Sequence, residues 1–179
     1  MMTLQAQNNP YFIAVGGVFI LLKISYKLAS FEDLIFLLKP VDTIVGLMLN
    51  SQARYLPDVG YYHEGWNIAI DKSCSGFNFL LLAFVLFAWI LLPYFEKTIY
   101  KIGAVLGAFL GAYLLTIFAN SSRIYTAIVV QNQTIDTFPE NQHTIHEAVG
   151  IITNLSFLVL TYFILNQRLT KIKNNETPA

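Results

Sequence analysis

Two uncharged apolar runs, Phe77 to Phe95 and Ile102 to Ala119, constrain this chain more than any other feature. Each is close to the roughly 20 residues that a helix needs to cross a bilayer core. Backbone in lipid must satisfy its own hydrogen bonds, so such runs read as helices rather than open strands. Composition agrees: 12% of residues are charged, about half the ~25% of a soluble domain. The expected fold is an all-α, polytopic transmembrane helical bundle of about five segments, with a short outer-face hairpin. The formal net charge is zero, so nothing points to nucleic acid, and the cations matter by position.

Tyr11 to Ala29 is the first expected span, with Lys23 and Lys27 near enough to its end to snorkel toward headgroups. Residues 1–10 hold no Lys or Arg and no small-residue cleavage site follows, so no cleavable signal peptide is expected. Ser30-Phe31-Glu32-Asp33 has the form of a capped helix start. Leu34 to Leu49 is apolar but interrupted by Lys39, Pro40 and Asp42, which predicts a kinked or partly interfacial helix. Residues 50–73 are the longest polar stretch. Pro57, Gly60 and Gly65, with alternating Trp66, Ile68 and Ile70, predict a hairpin there. Tyr55, Tyr61, Tyr62 and Trp66 suit an interfacial aromatic belt.

After the Phe77 helix, Glu96 to Lys101 is expected to be a tight turn. Ile102 to Ala119 then spans, with Gly103, Ala104, Gly107, Ala108, Gly111 and Ala112 allowing close helix approach. Gln131 to Gln142, with Pro139, is expected to be a loop. His143-Thr144-Ile145-His146-Glu147 opens the last helix, which is expected to run to about Leu165. One membrane domain over 1–166 and a short basic tail over 167–179 complete the division.

Lys97 and Lys101 flank one turn, and Arg168, Lys171 and Lys173 form the tail, so the inside-positive tendency places both on the cytoplasmic face. Counting helices then assigns Cys74, Arg123 and His146 to the opposite, outer face. Each has an ordinary reading. A lone cysteine is more often packed and inert, an arginine at a helix end anchors to headgroups, and a histidine at a helix start is a satisfied polar group. Together they allow acyl transfer: a thiolate attacks, an imidazole moves the proton, and a guanidinium steadies the oxyanion.

Ser73-Cys74-Ser75-Gly76, Asn120-Ser121-Ser122-Arg123-Ile124 and His146-Glu147-Ala148-Val149-Gly150 follow one another on successive helices. The set resembles the exosortase/archaeosortase family over about residues 34–165, and within it the small exosortase K-like branch. That resemblance implies a membrane cysteine transpeptidase in the bacterial plasma membrane, working at its outer face. Its partners would be the bilayer, the C-terminal sorting signal of an exported protein and an acceptor nucleophile at the cell surface. It implies Cys74 as nucleophile, Arg123 as oxyanion or substrate-positioning residue, and His146 as acid and base. Asn120, three residues before Arg123, is a candidate to orient it, His143 is the alternative base, and Ser75 flanks the thiol. The chain has fewer helices than many family members.

No cofactor and no metal are expected. A metal-dependent hydrolase built on His143-x-x-His146-Glu147 lacks the His-Glu-x-x-His pattern and a sure third ligand. A non-enzymatic membrane assembly subunit is the other alternative. Thiol redox chemistry lacks a second cysteine.

Overall fold

A computed structural model describes residues 2–57, 59–135 and 137–176, with side chains over 8–171 of these ranges. The fold is mostly helical. Helix α1 is Met2–Leu28, α2 Ile35–Leu49, α3 Phe77–Leu91, α4 Thr98–Thr134 and α5 Gln142–Glu176. Between α2 and α3 run three short strands, β1 Arg54–Leu56, β2 Gly60–His63 and β3 Ile68–Ile70. Four helical stretches are long and apolar enough to cross a membrane: Asn8–Leu28, Lys72–Tyr94, Thr98–Thr134 and Pro139–Lys171. The segment expected as a fifth is α2, which has 15 residues. At 1.5 Å per residue it reaches about 22 Å, short of a ~30 Å core.

Pro40 lies inside α2 without ending it. Proline lacks the N–H that would bond the carbonyl four residues back, here that of Phe36. Tyr113 of α4 supplies the missing donor, its hydroxyl 2.9 Å from Phe36 O, with the two rings stacked 6.2 Å apart. The vacated bond thus becomes a tether between helices. The helix ends at Asn50, in the left-handed region at φ 49°, whose N–H reaches back to Gly46 O and Leu47 O. Ser51 N–H also donates to Gly46 O, at 2.9 Å. The chain folds back so tightly that a Cβ on Gly46 would lie 2.7 Å from Ser51 O.

The polar stretch is a three-stranded antiparallel meander in the order β1-β2-β3, one strand more than a hairpin. Tyr55 pairs with Tyr61, and Tyr61 with Ile70. Tyr55 and Tyr61 pack on each other and on Phe31 at centroid distances of 5.5 to 5.7 Å. They build a local aromatic cluster. Ser30 and Asp33 form the expected reciprocal cap, Ser30 N–H donating to Asp33 Oδ2 at 2.7 Å. These bonds hold the Asp33 carboxyl below its ordinary pKa.

The long helices depart from expectation in length. Helix α4 runs past the expected span end at Ala119 and past Arg123, into the expected Gln131–Gln142 loop as far as Thr134, and has 37 residues, about 55 Å. The connection before it shrinks accordingly, because Thr98 to Lys101 form its first turn, and Lys101 is buried over the Tyr11 ring at 5.3 Å. Of the small residues, Ala104, Ala108 and Ala112 form the buried stripe. Gly111 admits the Phe87 ring, whereas Gly103 and Gly107 meet nothing. Helix α5 passes Leu165 and carries Arg168 and Lys171 as helix residues; 177–179 lie outside the described residues. Lys23, expected to reach for headgroups, instead donates to Asn78 Oδ1 at 2.5 Å, while Lys27 is exposed.

Candidate active site

Cys74 sits in a 3-10 turn, Lys72–Ser75, directly before α3. Asp71 makes that turn: its Oδ1 accepts from Ser73 N–H at 2.9 Å, Cys74 N–H at 3.3 Å and Ser73 Oγ at 2.6 Å. Three donors on one oxygen hold the backbone around the thiol in a single shape. Gly76 then turns the chain into α3 at φ +69°, a conformation that costs little only for glycine. Asn120 of α4 packs beneath it so closely that a Cβ on Gly76 would lie 2.9 Å from Asn120 Cγ.

Asn120 is buried, and its Nδ2 donates to Cys74 O at 2.5 Å. It was expected to orient Arg123; it grips the cysteine turn instead. Ser75 is fully buried, with its Oγ accepting from Phe77 N–H at 3.4 Å. Its recorded bond supports the start of α3, and the hydroxyl nearest the sulfur is that of Ser73, 3.9 Å away. Sequence reasoning missed the contribution of α1. Tyr26 donates to Lys72 O at 3.2 Å and stacks on Phe77 at 4.7 Å. Lys72 lies 5.1 Å over the Tyr26 ring and donates to Ala29 O at 2.5 Å. The partners lie 46 residues apart, so no local spacing links them.

Arg123 follows Asn120 by three residues on α4, so the two share a helix face. Asn120 grips the Cys74 turn, so this face of α4 is the one turned toward the cysteine. The Arg123 side chain lies across Gly150 of α5, where an added Cβ would meet Arg123 Cδ at 3.6 Å. Among the described residues, Arg123 Nε is buried and has no hydrogen-bond partner. His146 stands one turn before Gly150 and is half-buried. His143 points elsewhere: its side chain is 84% exposed and lies 3.8 Å from Glu147 Oε1. The structure therefore brings Asn120 against the Cys74 turn and Arg123 against α5 one turn from His146, and leaves His143 at the surface.

Arg123 lies eleven residues short of the end of α4 rather than at a helix terminus. Among the described residues, no group of three or more His, Cys, Asp or Glu is placed to hold a metal ion. No protein-family model, curated protein or solved structure matches this chain.

Proposed function

We propose that this protein is a membrane cysteine transpeptidase of the exosortase/archaeosortase type. It cleaves the C-terminal sorting signal of an exported protein and passes the new carboxyl to a surface acceptor. The observation that carries the reading is the Nε–H of Arg123, buried and without a partner among the described residues, on the helix face whose Asn120 grips the Cys74 turn and against α5 at Gly150. A buried donor without an acceptor costs about 1–3 kcal/mol, and a substrate carbonyl oxygen would relieve that cost as it gains charge. Removing one such donor from an acyl-transfer site typically lowers the rate by ~10²–10³.

The reaction follows from the three groups. His146 takes the thiol proton as Cys74 Sγ bonds to the substrate carbonyl carbon, and Arg123 donates to the oxyanion. The carbonyl re-forms, the C–N bond breaks, and His146 returns the proton to the departing amine. A thioester on Cys74 remains. The acceptor N–H or O–H attacks it, loses its proton to His146, and the thiol is restored when the imidazole hands that proton back.

The length of α4 supports a site at the outer face. Arg123 lies 22 residues beyond Lys101 on one continuous helix, about 33 Å at 1.5 Å per residue. That matches the thickness of a hydrocarbon core, so a cytoplasmic Lys97 end puts the cysteine at the outer face of the plasma membrane. The test is processing in cells that express a sorting-signal substrate. Cys74→Ala accumulates uncleaved precursor while the variant remains inserted; normal processing by that variant excludes covalent catalysis at this sulfur.

A further inference from the structure

A second polar cluster lies where the C-terminal end of α2 meets β2, sharing no residue with the cysteine site. His63 is completely buried, with Nε2 3.0 Å from Asp42 Oδ1 and Nδ1 3.1 Å from Ser51 Oγ. With its proton on Nε2, the ring donates to the carboxylate and accepts from the serine hydroxyl. Asp42 is then held by one oxygen only, and its second oxygen has no protein partner among the described residues. In front of the cluster lies a cleft of about 560 Å³, lined by Asp42, Thr43, Leu47, Asn50, Ser51 and Gln52 among others. No lysine or arginine lines it.

An acid, an imidazole and a hydroxyl in a row suggest a hydrolytic relay, but the backbone argues against one. Acyl transfer needs N–H donors aimed at an oxyanion. Here the N–H of Ser51 is spent on Gly46 O, and that of Asn50 on Gly46 O and Leu47 O. The cleft also opens at the C-terminal end of α2, where the helix dipole presents roughly half a negative charge. Both effects repel an anion and attract a cation. A bare metal ion fits poorly, because the cleft is many times the ~30 Å³ that one water occupies and Leu47 and Ala53 line it too.

We infer that this cleft binds a primary ammonium group carried on a small polar molecule. Asp42 supplies the charge, and Ser51 Oγ and the amide oxygens of Asn50 and Gln52 supply the acceptors. The same group arrives either on a free amine or on the headgroup of an ethanolamine lipid. The site is independent of the thiol chemistry, so Cys74→Ala protein binds equally.

Titration calorimetry on the full chain in detergent micelles, with ethanolamine as the probe, tests the inference. Ethanolamine binds, whereas choline, which carries the same charge without N–H donors, binds roughly tenfold more weakly or worse. Asp42→Asn lowers ethanolamine affinity by a similar factor. Leu47→Trp, at a largely exposed position, fills the cleft and blocks binding without touching the His63 contacts. Equal affinity for choline, no response to either variant, or no binding of ethanolamine overturns the inference. In nanodiscs, ethanolamine affinity that falls when phosphatidylethanolamine replaces phosphatidylcholine identifies the lipid headgroup. Unchanged affinity identifies a free amine.

Discussion

Gly76 carries two demands that no other residue meets together: a positive φ and van der Waals contact with Asn120. Gly76→Ala meets both a left-handed backbone penalty of about 1 kcal/mol and an overlap with a buried side chain. It lowers the thermal unfolding midpoint in micelles and, by shifting the Cys74 turn, depresses processing as well. The histidines separate on exposure. His146→Ala costs ~10²-fold or more in processing rate if it moves the proton, whereas His143→Ala, at a solvent-facing position paired only with Glu147, changes the rate less than about twofold. Equal losses in the two variants remove His146 from its assigned role. Cys74, Arg123 and His146 were singled out because helix counting assigns them to one end of the bundle. The true partner of Asn120 was not legible, since a bond between residues 46 apart leaves no periodic trace.

Among the elements, α2 and α4 differ most from what their residues suggest in isolation. Pro40 reads as a kink, yet the orphaned Phe36 carbonyl is satisfied from another helix. Tyr113→Phe keeps the ring stacking and removes only that bond. Its expected cost is about 1 kcal/mol of stability, read as a fall in the unfolding midpoint; an unchanged midpoint means water replaces the hydroxyl. Asn120-Ser121-Ser122, just past the expected span, carry side chains that compete with helix backbone. The competition is absorbed locally and at long range. Ser122 Oγ bonds Phe118 O within the helix, and Asn120 is drawn to Cys74 O. Tertiary partners thus override weak propensity, and the helix runs on. Near its far end Thr134 Oγ likewise bonds Val130 O inside the last turn.

At the scale of the whole molecule, the outer surface is apolar to a degree that water does not tolerate. Trp89, Leu106, Phe118, Ile152 and Phe163 are all more than half exposed. An apolar cleft of about 960 Å³ opens between α1, α3 and α5, with Phe12, Val15, Leu82, Trp89 and Leu158 on its walls. Both are compatible with a surface that faces lipid. Because Cys74 is the only cysteine, sidedness is measurable without background: a membrane-impermeant maleimide labels it in intact spheroplasts. Labelling only after the membrane is breached reverses the assigned orientation and, with it, the outer-face site.

The hold of Tyr26 and Ala29 on Lys72 has a practical corollary for protein engineering. On the proposed chemistry the first helix acts as a splint for Cys74, so shortening from the amino-terminal end lowers processing before the bundle falls apart. A truncation lacking the first 28 residues, supplied back as a separate peptide in trans, would therefore regain turnover by docking rather than by refolding.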